Sequence, residues 1–106
     1  MVERKIYLNN VFHSLADPTR RDILRRVSKQ ELSIGAVAQP YPLSFAAIAK
    51  HIRVLEHAQL IKKRRECKEQ RIQIMPRTIE DALSHLGSYE KQWQSRFDAL
   101  DQLLKK

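Results

Sequence analysis

The residues of this sequence with the most to offer chemically are its cations, and they fall into two clusters. Lys50, His51 and Arg53 lie in the stretch Ser44 to Leu60, S-F-A-A-I-A-K-H-I-R-V-L-E-H-A-Q-L, whose only acid is Glu56. Lys62, Lys63, Arg64, Arg65, Lys68 and Arg71 follow directly, against only Glu66 and Glu69. Clustered ammonium and guanidinium groups suit phosphate oxygens and, at a groove, base edges. Other chemistries find little support. There is no glycine-rich phosphate loop and no Ser-His-Asp or Cys-His set, so the chain does not read as an enzyme. His13, His57 and His85 lack ligand spacing, and a single cysteine, Cys67, excludes an intrachain disulfide or a multi-cysteine zinc site. Cations beside Cys67 would favour its thiolate, although a lone cysteine on a small strand is more often inert.

These clusters need elements to hold them. Ser44 is a helix N-cap, its hydroxyl accepting one of the unpaired first-turn N–H groups. Behind it Phe45, Ile48, Ile52 and Leu55 recur at steps of three and four, the stripe that a helix buries. The other side carries Ala46, Ala49, Lys50, Arg53 and His57, small at the start and cationic further along. A helix of this kind can push its N-terminal end into a major groove. The second cluster sits on two short runs, Ile61 to Cys67 and Arg71 to Met75, with Ile72 and Ile74 alternating as in a half-buried strand and Lys68-Glu69-Gln70 turning between them. This hairpin reads as a basic wing following the phosphate backbone.

Upstream, Leu8, Val11, Phe12 and Leu15 give residues 4–15 an inward helical face. Asp17-Pro18 then starts a second helix, with a capping acceptor followed by a proline at the first helical position. It buries Ile23, Leu24 and Val27 and exposes Arg20, Arg21, Arg25, Arg26 and Lys29. After an extended link, Ser33 caps a third helix through Ile34, Val37 and Ala38. Pro40 and Pro42 stop it, leaving a turn before the Ser44 helix. Pro76 ends the second strand, and Thr78 with Asp81 resembles a capping box for a last helix. In that helix Ile79, Leu86, Trp93 and Leu100 repeat every seven residues, and Leu83, Phe97 and Leu104 form a second row that Glu90 interrupts. Such a helix exceeds about 35 Å, longer than a body of this size can cover, so its apolar rows argue for a second copy of the same helix.

The totals agree. With 106 residues the chain is one domain, and 20 Lys and Arg against 12 Asp and Glu give a formal charge of +8. A phosphate-rich partner is the economical explanation. No apolar run approaches a membrane span, and the N-terminus lacks the apolar core of a signal peptide, so a cytoplasmic protein is expected.

The order of these motifs resembles a known family. L-A-D-P-T-R-R-D-I-L-R-R at 15–26 resembles the second-helix signature of the ArsR/SmtB winged-helix repressors. A-A-I-A-K-H-I-R-V-L-E-H-A-Q-L-I-K at 46–62 looks like their recognition helix and the entry to the wing. The resemblance implies a dimer, joined largely by its first and last helices, that binds operator DNA and represses transcription. It also suggests a DNA-facing or phosphate-facing role for His51, with a partly packed histidine as the equal alternative. Departures bear on mechanism. Where metal-sensing members carry a cysteine pair, this chain has Glu31-Leu32-Ser33-Ile34-Gly35-Ala36-Val37. At the last-helix metal site it offers Asp81 and His85 but no second histidine further along. Two ligands leave the shell incomplete, so the resemblance is to the metal-independent branch, with no metal and no cofactor. Phe45 and Ala49 stand where relatives often have polar residues, and Gln59 and Lys68 where they often have glycine.

The expected fold is therefore mostly α with a small β-hairpin, a winged helix-turn-helix of order α-α-α-α-β-β-α ending in a long dimerisation helix. Residues 33–60 form the helix-turn-helix, 61–75 the wing and 78–105 the last helix. Its partners are double-stranded DNA and a second copy, with no membrane. Ser44, Ala46, Ala47, Lys50, His51, Arg53, Arg64, Arg65, Lys68 and Arg71 face DNA. Leu8, Phe12, Ile79, Leu83, Leu86, Trp93, Phe97, Leu100 and Leu104 join the dimer. The alternative is a winged helix that binds protein, as a transcription-complex subunit or antitoxin does.

Overall fold

The computed structural model describes residues 2–105. Helix α1 spans Val2–Ser14, α2 Pro18–Lys29, α3 Ile34–Ala38, α4 Phe45–His57 and α5 Pro76–Leu104, with strands β1 Leu32–Ser33, β2 Ile61–Glu66 and β3 Glu69–Ile74. Three helices start at the expected caps. Asp17 accepts from Arg20 N, Ser33 from Ala36 N and Ser44 from Ala47 N. The Arg20 N–H bond holds the Asp17 carboxyl below its ordinary range. The core lies where α2, α4 and the sheet meet, on Ile23, Val37, Ile48, Ile52, Leu55 and Ile72, with Val11 of α1 closing one side.

The sheet has three strands, in the order β1-β3-β2 and antiparallel throughout, not a bare hairpin. Leu32 pairs with Ile72 and Ser33 with Arg71. This contact joins residues some 40 positions apart, so no local pattern announces it. The hairpin turn is also tighter than expected. Glu66 pairs with Glu69, leaving Cys67 and Lys68 as the loop, and Cys67 takes the positive φ of 56°. Two-residue loops of this kind match the strand twist.

Helix α4 ends in a left-handed residue without glycine. Gln59 has φ 64°, while Leu60 N donates to Leu55 O at 3.1 Å and Gln59 N to Glu56 O at 3.0 Å. These are the two bonds of a Schellman close, reached with a side chain that costs about 1 kcal/mol in this conformation. Nearby, the expected capping box at Thr78 is absent. Helix α5 begins two residues earlier, at Pro76, and Thr78 is 3% exposed inside it. Its hydroxyl donates to Gln59 O, and Asp81 accepts from Tyr7 OH at 3.1 Å. Both side chains therefore bind the start of α5 to other elements instead of capping it.

The cationic face expected on α2 is only partly a solvated one. Arg20 donates to Ser14 O at 2.7 Å and His13 O at 3.3 Å. Arg26 donates to Val37 O and Ala36 O, each at 2.9 Å, and lies over the Tyr41 ring. Carbonyls at the ends of α1 and α3 recruit these guanidinium groups, His13 O accepting from Ala16 N as well. Tyr41 in turn donates to Asp22 at 2.6 Å. Burial and that bond push the Tyr41 phenol above its ordinary pKa, and the Asp22 carboxyl is lowered.

Helix α5 sets the shape. Its 29 residues reach about 43 Å, and the chain measures 67 × 32 × 21 Å. The radius of gyration, 18.2 Å, exceeds the roughly 13 Å of a compact chain this long. Every residue from Ser88 to Lys105 is exposed. No helix among the described residues is long and apolar enough to cross a membrane.

Candidate nucleic-acid interface

Helix α4 turns Ile48, Ile52 and Leu55 inward and leaves its first turn in solvent. Ser44 and Ala46 are exposed and Ala47 is half-buried. Phe45 corrects the expected buried stripe: it is 62% exposed. One position from the cap, it lies ahead of the layer where Ile48 meets the core. Lys50 and Arg53 are exposed, and with His57 they border a shallow groove against Asn10 and His13 of α1. His51 is turned aside. Its Nδ1 lies 3.2 Å from Arg20 Nη1 and 3.9 Å from Asp17 Oδ2. A guanidinium only donates, so this network assigns Nδ1 as acceptor and the ring proton to Nε2. His51 thus joins α4 to the start of α2, and its side chain is mostly covered.

The wing cations divide between two faces. Register pairs Ile61 with Ile74, Lys63 with Ile72 and Arg65 with Gln70, so Lys63 and Arg65 extend the face that carries the core isoleucines. That face turns toward α4, because Lys63 Nζ lies 3.6 Å from Glu56 of α4. On the other face Arg64 donates to both oxygens of Glu31, at 3.0 and 2.7 Å, and to Glu66 at 3.1 Å. The Arg64 bonds hold the Glu31 carboxyl low, and Glu31 raises the Arg64 guanidinium pKa. Arg71 approaches Glu66 at 3.0 Å and Glu69 at 3.7 Å, the first contact too bent for a hydrogen bond. Arg65 and Lys68 have no acidic partner within 4 Å among the described residues.

Arg65, Lys68, Lys50, Arg53 and the first turn of α4 thus remain free, while Arg64, Arg71 and His51 are engaged within the chain. Lys63, outside the expected set, shares a face with Arg65 by the strand period but is likewise engaged, by Glu56.

The residues expected to join a second copy also divide. Leu8 is 7% exposed and Ile79 is packed against the core, so both are largely used within this chain. Phe12 is half-buried, 6.0 Å from His85, whose ring meets Tyr89 at 5.1 Å. Leu83, Leu86, Trp93, Phe97, Leu100 and Leu104 are between 49 and 77% exposed along α5. No group of three or more His, Cys, Asp and Glu side chains able to hold a metal ion occurs among the described residues.

Comparison with known proteins fits this geometry. Residues 15–64, from α2 into β2, match the family described as a helix-turn-helix domain. The chain is 34% identical over 59 residues to the transcriptional repressor SdpR of Bacillus subtilis (strain 168), covering 56% of this chain and 66% of that one. An ArsR-like transcriptional regulator from Rhodococcus sp. RHA1 superposes with a TM-score of 0.80 over 95% of both chains, at 27% identity. Together these matches support an ArsR-family winged helix-turn-helix regulator. A further ArsR-type fold is the homodimeric winged helix-turn-helix DNA-binding domain of Mb0332 from Mycobacterium bovis. It has a TM-score of 0.69 and covers 84% of each chain at 21% identity, a likeness of fold alone. The chain spans between half and two thirds of the length of the curated relatives it matches.

Proposed function

We propose that this ArsR-family chain is a cytoplasmic homodimer that binds an imperfect palindromic operator and represses transcription, and that it is not an enzyme. The observation that supports this most directly is the Lys63–Glu56 contact. It joins the last turn of α4 to the wing face bearing Arg65, so the recognition helix and the wing cations suited to phosphate belong to one surface. The first turn enters the major groove, Ala46 and Ala47 permitting close approach. Lys50 and Arg53 set register or read bases, and Arg65 and Lys68 meet phosphates. His51 acts from behind by holding α4 against α2, and Arg64 and Arg71 contribute a smaller share than their charge suggests. Two exposed rows on α5 pair with the same rows of a second copy, which places two α4 helices on half-sites about one duplex turn apart. The relatives' names agree: SdpR is a transcriptional repressor and the Mb0332 domain is homodimeric.

We also read the protein as independent of metal ions. Asp81 is bonded to Tyr7, and His85 packs between Phe12 and Tyr89, so the two side chains have separate tasks. Zinc, cadmium, nickel and arsenite should leave operator affinity unchanged within about threefold. The central experiment sequences the duplexes that purified protein selects from a random pool, then titrates salt. A palindromic consensus whose affinity falls steeply with salt is the expected result. An unenriched pool with salt-independent binding would refute the reading in favour of a protein-binding module.

A further inference from the structure

Among the described residues, the large apolar side chains left in solvent lie on α1 or α5, with two exceptions. These are Leu43, 44% exposed in the turn before α4, and Phe45, 62% exposed at its first helical position. Neither helps to close the core, and an exposed phenyl ring adds little to folding. The first turn is poor in other means of recognition. The Ser44 hydroxyl accepts from Ala47 N at 3.1 Å, which leaves only its O–H to donate, and Ala46 and Ala47 bear only methyls. Phe45, Ala49 and Arg53 follow at steps of four, so one line along α4 runs from an aromatic ring through a methyl to a cation. The Lys63–Glu56 contact sets the wing against the far end of that line, in the last turn of α4.

An apolar point at the start of the helix line that leads to Arg53, with Arg65 on the wing that packs against the far end of α4, suits a partner that sets small apolar groups at a fixed distance from phosphates. The major groove of DNA does so only where thymine, with its C5-methyl, lines it. From this placement, and resting on the DNA reading above, we propose that Phe45 is a specificity-determining residue that packs against a thymine C5-methyl in each half-site, with Leu43 flanking it. The operator is then distinguished there by a methyl contact and not by a side-chain hydrogen bond.

The test replaces each thymine of the selected operator in turn by deoxyuridine, which removes the methyl and leaves every hydrogen-bonding edge intact. At one thymine per half-site the wild-type protein should lose about threefold to fivefold in affinity, the worth of one buried methyl. Phe45→Ala should bind thymine and uracil operators equally, and Phe45→Leu should keep part of the difference. Because Phe45 is exposed, both variants should melt with the wild type. Equal wild-type binding to the two operators, or a consensus without thymine beneath the first turn, overturns this inference and leaves the regulator reading standing. A thymine preference that persists in Phe45→Ala overturns it too, transferring the contact to Ala46 or Ala47. If the wild type selects no operator at all, the DNA reading itself fails.

Discussion

Helices α4 and α5 are both amphipathic, and they resolve their apolar stripes in opposite ways. In α4 the stripe is used up inside the chain, with Ile48, Ile52 and Leu55 each at most 1% exposed. In α5 only the first turns reach the core, through Thr78, Ala82 and the half-buried Ile79, and the rest runs into solvent with Trp93, Phe97 and Leu100 more than half exposed. The difference is one of length against core size. Thirteen residues of α4 fit across the core, whereas the 29 of α5 overrun it. A stripe satisfied within the chain holds the fold together, and an unsatisfied one of this extent calls for a partner surface.

The contrast can be broken most forcefully at α5. Trp93→Ala with Phe97→Ala should raise the dimer dissociation constant by about a thousandfold or more, as two interface aromatics contribute at least about 2 kcal/mol each. Sedimentation at micromolar concentration should then show monomer for the double variant and dimer for the wild type. A wild-type monomer would mean that α5 serves something other than self-association. Ile52→Ala probes the opposite case. Its loss leaves a cavity in the core and should cost about 2–4 kcal/mol in denaturant unfolding, while Phe45→Ala, on the same helix, should cost less than about 0.5 kcal/mol.

The two faces of the wing offer a finer version of the same comparison. Arg65→Ala should weaken binding to operator and scrambled DNA alike and flatten the salt slope by about one unit. Arg64→Ala should change the slope by clearly less, because Glu31 and Glu66 already neutralise that guanidinium. Equal slopes for the two variants would erase the distinction between the faces. The smallest effect lies at the α2 cap. Asp17→Ala should cost about 1 kcal/mol at neutral pH. The Asp17 carboxyl is lowered in the fold, so its contribution is complete above the ordinary carboxylate pKa near 4 and is lost as pH falls through the lowered value. A denaturation series between about pH 6 and pH 3 should therefore show the wild type and Asp17→Ala converging toward the acid end.

Much of this architecture was legible because it depends on neighbours in the chain. The caps Asp17, Ser33 and Ser44 act on N–H groups three residues ahead, and the helical stripes repeat every three or four. The left-handed Gln59 stands where the resembled family often has glycine. The misreadings share another property, a partner distant in sequence. Arg26 looked solvated until α3 brought the Val37 carbonyl to it, and Thr78 resembled a cap although its acceptor, Gln59 O, comes from the end of α4. His51 was placed toward DNA, but the packing of α4 on α2 gave it Arg20. Phe45 fell in phase with the apolar stripe, yet a helix is buried only where another element lies over it, and Phe45 stays 62% exposed while Ile48, one turn on, is fully buried.

Local propensity and periodicity in the sequence by themselves determined which segments are helix and which form the hairpin, where most begin, and that the last helix outruns its own core. Tertiary structure alone decided which cations are free. A charge in the sequence has no partner until the fold supplies one. Here the pairing of β1 with β3 and the neighbouring carboxylates Glu31 and Glu66 took up Arg64, while strand alternation turned Lys63 and Arg65 toward α4.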